Sequence, residues 1–215
     1  MTKRTLIQGV GLNDADYAYR VHKKVNVKCK IVYQCKIHTM WKDLLRRCFN
    51  QNFKSKYPHY KDVTCCDDWL VFSKFKEWVD IQGSIFDKDG KVKQLDKDLL
   101  HKDNKVYSPE NCILVSGRVN NFMLCGGRVS SSGVKGVVLN KQTNKLQVFC
   151  KDPFNRYSKY LGDVNNLLDG EVLYRKTKFN YLNDLYNSGY LETDTFYRIC
   201  ATWFPEFNKR REGMI

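Results

Sequence analysis

A glycine- and serine-rich segment in the second half of the chain is the feature that most constrains its fold. Residues 126–133 read Gly-Gly-Arg-Val-Ser-Ser-Ser-Gly, a composition typical of flexible linkers between domains. A chain of 215 residues, of which 42% are hydrophobic, can bury either one sizeable core or two small ones. The linker favours two cores, and we predict an α+β protein with domains at 1–125 and 134–215.

Positive charge is concentrated at one end of the chain. The net charge is +14, and residues 1–60 hold 13 Lys and Arg against 3 Asp and Glu. Clustered cations displace the counterions that condense on phosphate, so this field favours a polyanion, and we expect double-stranded DNA. A merely solvated surface is the alternative. An anionic membrane fits less well, because no basic amphipathic helix carries an apolar anchor.

The sequence contains none of the apolar segments that export or membrane insertion requires. No run reaches the roughly 18 apolar residues of a membrane span, and the first residues lead into polar sequence without an apolar signal core. We expect a protein of the cytoplasm, in the host cell if the chain is viral, without a membrane partner. No feature fixes the oligomeric state, and a monomer is the default expectation.

Nine cysteines in a chain of this kind are expected to be reduced thiols. No Cys-x-x-Cys pair occurs, so a zinc knuckle of the usual spacing is absent. Two interpretations stay open. Buried thiols in the core are the default, and the alternative is a dispersed structural zinc site with Cys35, Cys48, Cys66 and Cys112 as ligands.

Hydrophobic periodicity predicts the elements of the first domain. Residues 17–33 alternate loosely and predict a strand or hairpin with one basic face. Residues 36–50 repeat apolar side chains at helical spacing, which predicts an amphipathic helix. Its opposite face carries Arg46 and Arg47, which we expect to contact phosphate. A second helix is predicted over 67–79, started by an Asp cap, with short strands and then a short helix over 80–125.

The second domain is predicted to be a three-stranded sheet followed by helices. Residues 136–140 and 146–151 alternate in period two around a turn and predict a hairpin. A third short strand is expected at 157–161. A helix of about 16 residues is expected from Glu171, and the apolar side chains of its shared face are those of Val172, Phe179, Leu182 and Tyr186. A last helix is predicted over 194–203.

Residues 95–122 hold the motif on which the functional prediction rests. They read Leu-Asp-Lys-Asp at 95–98, continue through a loop to Asn111, and reach Asn120 nine residues later in the predicted short helix. This pattern resembles the HNH motif of ββα-metal (His-Me finger) nucleases, as found in phage homing endonucleases. The resemblance implies a helical and ββα-metal domain ahead of the three-stranded sheet.

The resemblance also implies a role for each matching residue. Asp96 and Asn120 would hold one divalent cation, Mg²⁺ or Mn²⁺. Asn111 would brace the loop through hydrogen bonds from its side chain to the backbone. In addition to these matches, we expect Arg118 to contact phosphate. The cation would stabilise the scissile phosphate and the leaving oxygen.

The motif departs from the usual HNH pattern at the general base. Lys97 stands where the base His belongs, and an ammonium flanked by Asp96 and Asp98 is a poor base at neutral pH. Lys97 would instead grip phosphate or steady the transition state. His101 is the only nearby imidazole that could act as base. The related phage proteins carry Leu-Asp-Lys-Asp as their usual form, so Lys97 need not signal lost activity.

Further similarities to the phage HNH proteins are spread over residues 9–125. They are Gly-Val-Gly-Leu-Asn-Asp-Ala-Asp-Tyr at 9–17, Trp41 with Arg47 and Cys48, Tyr-Lys-Asp-Val at 60–63, Cys-Asp-Asp-Trp-Leu at 66–70 with Phe72, Ser73, Phe75 and Lys76, and Asn-Lys-Val-Tyr-Ser-Pro-Glu at 104–110. Similarity at so many separated points indicates that the chain is related to these proteins. It is weaker evidence that the chain shares their activity.

Residues 133–176 resemble the plant ethylene-response-factor (apetala-type) DNA-binding domain, which ends many phage homing endonucleases. The matches are Gly-Val-Lys-Gly-Val at 133–137, Tyr-Leu-Gly at 160–162 and Tyr-Arg-Lys at 174–176. In that fold a three-stranded antiparallel sheet, packed on one helix, lies in the major groove. Amides would then read adenine and lysines would meet phosphate, and the residues implied are Lys135, Asn140, Lys141, Lys145, Gln147 and Lys151. An ordinary three-stranded α+β module is the alternative.

Three classes of function follow from these patterns. The first is an HNH-like endonuclease of the homing or mobile type that hydrolyses double-stranded DNA with a divalent metal. The second is a non-catalytic protein that recognises DNA on the same scaffold. The third is a structural or interaction protein whose basic face binds nucleic acid without sequence preference, with steep salt dependence.

Overall fold

The computed structural model describes residues 6–25, 28–124, 132–155 and 157–208. The chain forms two compact units, and the fold is α+β. The first unit comprises Met1–Phe86 and Val92–Leu114, and the second comprises Asp87–Lys91 and Val115–Ile215. The short helix at 117–124, assigned to the first domain by the sequence, thus groups with the second unit. Most of the predicted linker, residues 126–131, lies outside the described residues. No helix in the described ranges is long and apolar enough to span a membrane.

The first unit combines short helices with three two-stranded sheets. The first sheet pairs β1 and β2 antiparallel, the second pairs β3 and β5 parallel, and the third pairs β4 and β6. The elements, in chain order, are β1 (Arg20–Val25), β2 (Lys28–Gln34), α1 (Lys36–Phe49), α2 (Gln51–Lys56), β3 (Thr64–Cys65), α3 (Phe72–Ile81), β4 (Gln94–Asp96), β5 (Val106–Tyr107) and β6 (Ile113–Val115). The predicted hairpin near 17–33 and the helix at 36–50 are confirmed.

The core of the first unit forms around the apolar face of α1. Trp41, Leu44, Leu45 and Cys48 are buried there, as the helical spacing predicted. The indole Nε1 of Trp41 donates a 2.7 Å hydrogen bond to the backbone carbonyl of Trp69, which satisfies a buried polar group. The polar face of α1, with its basic residues, stays outside this core.

The predicted helix at 67–79 is wrong at its start. Residues Asp67–Leu70 form a 3-10 turn, and α3 begins only at Phe72. The cause is a pairing with a distant segment, in which Leu12 N donates to Leu70 O at 2.8 Å and Phe72 N donates to Leu12 O at 3.0 Å. This pairing holds Val71 extended, so a continuous helix cannot form. Asp14, rather than Asp67, then accepts the 2.9 Å hydrogen bond from Ser73 N in the first turn of α3.

The second unit is a three-stranded antiparallel sheet with helices. Its strand order is β7-β8-β9. The elements are α4 (Gly117–Leu124), β7 (Val137–Asn140), β8 (Lys145–Lys151), β9 (Ser158–Val164), α5 (Leu167–Asn187), α6 (Thr193–Trp203) and α7 (Pro205–Asn208). The predicted hairpin, the third strand and the helix at 194–203 are confirmed.

Helix α5 begins four residues earlier than the sequence predicted, at Leu167 instead of Glu171. The side chain of Asn166 caps it by accepting a 2.9 Å hydrogen bond from Asp169 N, as Asn commonly does. The predicted apolar face is also partly wrong, because Val172 is 53% exposed whereas Leu185 is fully buried. The earlier start adds a turn to the helix at the end that lies on the sheet.

Two glycines allow the sheet to pack closely on α5. A Cβ on Gly170 would lie 2.8 Å from the side chain of Val137, and a Cβ on Gly136 would overlap the ring of Tyr174. Gly136 also has a φ of +79°, which residues with side chains rarely adopt. The inner face of the sheet, with Val137, Val148 and Cys150 buried, is therefore held against the helix, and the outer face remains available for contacts.

Candidate functional site

The first component of the site is the carboxylate of Asp96, which ends β4. Asp96 is buried, with a relative solvent exposure of 6%. Oδ1 accepts hydrogen bonds from the backbone N–H groups of Asp98 and Leu99, both at 2.8 Å. Burial raises the pKa of the Asp96 carboxyl, and these two hydrogen bonds oppose the rise. Within the described residues no hydrogen bond reaches Oδ2, so one oxygen shapes the turn and the other is available as a ligand.

The neighbouring ammonium of Lys97 is held inside the same loop. Lys97 is also only 6% exposed. Its Nζ donates to Asp98 Oδ1 at 2.6 Å and to the carbonyl of Asn104 at 2.7 Å, and it lies 5.8 Å from the ring centre of Tyr107. A buried ammonium is costly unless it is paired and hydrogen-bonded in this way. In this structure Lys97 closes the loop between β4 and β5.

Asn104 braces this loop, a role that sequence reasoning gave to Asn111. The amide Nδ2 of Asn104 donates to the carbonyls of Lys97 at 3.0 Å and Val106 at 2.8 Å, and its Oδ1 accepts from Val106 N at 3.1 Å. Among the described residues, the Asn111 side chain donates one longer bond, 3.5 Å, to the same Val106 carbonyl. Asn104 belongs to the stretch 104–110 that the family resemblance singled out, but nothing in its spacing indicated this function.

The remaining predicted residues of the first unit differ in how accessible they are. His101 is exposed on the loop. Arg46 is exposed and forms a 3.1 Å ion pair with Asp43. Arg47 is half-buried and donates a 3.2 Å hydrogen bond to the hydroxyl of Tyr107, and it lines an open cavity of about 400 Å³. Arg46 is thus the more accessible of the two predicted phosphate contacts.

The four cysteines of the predicted zinc site are free thiols in the structure. Among the described residues, no set of three or more His, Cys, Asp or Glu side chains is arranged to hold a metal ion. Cys35, Cys48 and Cys112 are buried free thiols, and Cys66 is half-buried. Burial raises the pKa of the Cys66 and Cys112 thiols, which favours the protonated form rather than the thiolate that binds zinc. Zinc binding by these cysteines remains a prediction.

In the second unit, helix α4 carries Arg118 and Asn120. The Arg118 guanidinium donates to the carbonyl of Pro153 at 3.0 Å, lies 3.4 Å from Asp89 Oδ2, and stacks 4.7 Å from the ring centre of Tyr190. The Tyr190 hydroxyl, which donates to Asp89 at 2.9 Å, and Arg118 lower the pKa of the Asp89 carboxyl. The predicted phosphate ligand is therefore already bonded to protein groups. Asp96 belongs to the first unit and Asn120 to the second, and their convergence on one cation remains a prediction.

The outer face of the three-stranded sheet carries a hydrogen-bonded set of polar side chains. Asn140 Nδ2 donates to Gln147 Oε1, and Gln147 Nε2 donates to Asp163 Oδ1, both at 3.4 Å. The Tyr160 hydroxyl donates to the same Asp163 oxygen at 2.6 Å, and Lys145 lies 3.5 Å from Asp163 Oδ2. The predicted residues Asn140, Lys145 and Gln147 are thus brought together, joined by Tyr160 and Asp163, which the sequence analysis missed.

Other residues of the predicted DNA-reading set lie around this group. Lys141 in the turn and Lys151 at the end of β8 are exposed, and Lys135 is half-buried ahead of β7. The rings of Phe149 and Tyr160 lie 5.5 Å apart on the same face. The outer face therefore combines amides, lysines and two aromatic rings around one carboxylate, a mixture that can donate to and accept from base edges and can donate to phosphates.

Comparison with known proteins adds no identification. No protein-family model, no curated protein and no solved structure matches the chain. The site must therefore be interpreted from its own residues.

We predict that Asn104→Ala will open the loop between β4 and β5 more than Asn111→Ala. The first substitution removes three side-chain hydrogen bonds, each with a net value of about 1 kcal/mol, whereas the second removes one long bond. Hydrogen exchange of the backbone amides at 98–107 should accelerate strongly in Asn104→Ala and little in Asn111→Ala. Equal acceleration in the two variants would contradict the bracing role of Asn104.

Proposed function

We propose that the chain is a DNA-binding endonuclease of the HNH type, of the phage or mobile-element kind, that hydrolyses double-stranded DNA with a divalent metal. The observation that carries the proposal is the environment of Asp96. One oxygen of this buried carboxylate is fixed by the turn that follows β4, while the other accepts no hydrogen bond from the described residues. A rigid carboxylate with one oxygen available is suited to hold a hard cation.

The donor chemistry fits Mg²⁺ or Mn²⁺. Carboxylate and amide oxygens are hard ligands that these ions prefer, and in this proposal Asp96 and Asn120 supply them. A bound cation would supply Lewis-acid stabilisation of the scissile phosphate and its leaving oxygen. Asn104 and Asn111 keep the loop in shape, so that the Asp96 side chain does not have to be reorganised during the reaction.

The general base in this proposal is His101. Lys97 is less suited, because its buried Nζ already donates hydrogen bonds to Asp98 and to the Asn104 carbonyl. His101 is exposed on the same loop, and an imidazole is the side chain that most often takes a proton from an attacking water. The proton of that water passes to the imidazole as the oxygen attacks phosphorus and the P–O bond to the leaving strand breaks.

A second candidate, a non-catalytic protein that recognises DNA on the same scaffold, is favoured by the internal bonding of Lys97 and Arg118. Both side chains stand where the motif expects groups that act on phosphate, yet both are bonded to protein groups. This candidate keeps the outer face of the sheet as the DNA-binding surface and gives the Asp96 loop a purely structural role.

Cleavage of supercoiled plasmid in Mg²⁺ or Mn²⁺ separates the two candidates. We expect wild-type protein to nick or cut the plasmid, and Asp96→Ala and Asn120→Ala each to reduce the rate roughly 10- to 100-fold at subsaturating metal, through loss of metal affinity. Glu77→Ala and Asn52→Ala, which remove an exposed carboxylate and an exposed amide from other helices, should cut like wild type. Nicking that survives both site substitutions would rule out this metal site.

If the sheet reads DNA sequence, substitution of an amide side chain and substitution of a lysine side chain should change DNA binding in different ways. After selection of bound fragments from random DNA, Gln147→Ala should lose about 1–3 kcal/mol of discrimination at one base position. Lys141→Ala should instead weaken binding to all sequences alike and lower the salt slope by about 1. If Gln147→Ala weakened every sequence equally, the sheet would bind DNA without reading it, as the third class of function expects.

A further inference from the structure

The hairpin of β1 and β2 is exposed on both faces. Every described side chain of the two strands is exposed except Gln34, which is half-buried, and Ile31 and Val32 are 50% and 57% exposed. An antiparallel sheet in a folded domain ordinarily packs one face on a core, and a hairpin without such packing is only marginally stable. We call β1 and β2 together the ribbon. Its described side chains lack the packing against a core that strands usually require.

The ribbon is also positively charged without compensation. The strand register places Lys23 directly opposite Lys30, with Lys24 and Arg20 nearby on β1. Like charges in such a pair destabilise the hairpin. No Asp or Glu occurs between Tyr17 and Lys42. Within the described part of the chain, none of the ion pairs involves these four residues. Binding of a polyanion would offset the electrostatic repulsion between these basic side chains.

The base of the ribbon is fixed to the core of its unit. Cys35 N donates a 2.8 Å hydrogen bond to Tyr19 O just below the paired strands. The ring of Tyr19 stacks on the ring of His38 with 3.9 Å between centroids, and buried His38 lies 5.0 Å from the ring of Phe72. Burial lowers the pKa of His38 to about 4, so this stack is neutral at pH 7. The ribbon is therefore an arm with a rigid base and two uncovered faces.

We propose that the β1–β2 ribbon lies in the major groove of duplex DNA, as a contact separate from the three-stranded sheet. The choice of DNA rests on the proposed function. The major groove of B-form DNA is about 12 Å wide and admits a two-stranded ribbon, and a ribbon with lysines on both strands faces phosphates on both sides of the groove. The narrow major groove of duplex RNA cannot admit it, so the ribbon discriminates between the two duplexes.

The test compares two full-length triple variants. Lys23→Gln, Lys24→Gln and Lys30→Gln together remove three ribbon charges. The matched control removes three exposed lysine charges elsewhere in the same unit, through Lys56→Gln, Lys61→Gln and Lys74→Gln. Binding to duplex DNA is measured in EDTA, so that cleavage plays no part, and far-ultraviolet circular dichroism verifies that each variant is folded.

We expect the ribbon variant to bind DNA about tenfold more weakly or worse, with the slope of log K against log salt reduced by about 2 to 3. Its protection of guanine N7, a major-groove atom, from dimethyl sulfate should disappear over part of the wild-type footprint. The control variant should keep the footprint and change the affinity little, and neither variant should alter the weaker binding to duplex RNA.

Two results would overturn the ribbon proposal while the proposed function stands. One is a ribbon variant that binds and protects DNA as the control does. The other is an equal loss of DNA and RNA binding, which would mean that the ribbon contacts phosphate outside the groove. Wild-type protein that fails to bind DNA at all would instead contradict the proposed function itself.

Discussion

The form of the candidate site depends on two opposite charges buried next to each other at the end of β4. Neither the carboxylate of Asp96 nor the ammonium of Lys97 can leave water without partners. The following loop supplies them: backbone N–H groups of Asp98 and Leu99 for the carboxylate, and the Asp98 carboxylate with the Asn104 carbonyl for the ammonium. The loop closes because these charges must be satisfied, and its closure fixes the orientation of Asp96.

Among the elements that periodicity predicted, two have a regular apolar pattern and bury one face against a core. Helix α1 and the hairpin of β7 and β8 are of this kind, and both are confirmed. The break ahead of α3 could not be predicted, because it depends on a backbone pairing of Val71 with Leu12. Residues 67–79 contain no Gly or Pro that would mark a break, so the interruption is visible only in the folded chain.

The site was predicted from a family resemblance, and the residues it missed are those that depend on three-dimensional detail. In β9, strict alternation places Tyr160 and Asp163 on opposite faces. The strand register shifts between Val148 and Phe149, so that Gln147 pairs with Asp163 and Phe149 with Tyr160. An irregularity of this kind, a β-bulge, inserts an extra residue into one strand and changes the face of the sheet to which the following side chains point. It brings both residues to the outer face, where they organise Gln147.

The two proposed DNA contacts differ in physical character. The sheet offers amides, a carboxylate and aromatic rings in a hydrogen-bonded arrangement, which suits base recognition. The ribbon offers uncompensated lysines on an exposed arm, which suits affinity and salt dependence more than sequence discrimination. Part of the positive charge of residues 1–60 thus lies on the β1–β2 hairpin and on the Arg46 face of α1, whereas we assign sequence selectivity to the second unit.

Cooperation of Asp96 and Asn120 at one cation is measured most directly by titrating the full chain with Mn²⁺ and following bound ion by electron paramagnetic resonance. We expect a single tight site in wild-type protein. Asp96→Ala and Asn120→Ala should each weaken it by roughly 10- to 100-fold, while Glu77→Ala leaves it unchanged. Mn²⁺ binding that neither substitution changes would contradict a shared metal site and would favour the proposed non-catalytic candidate.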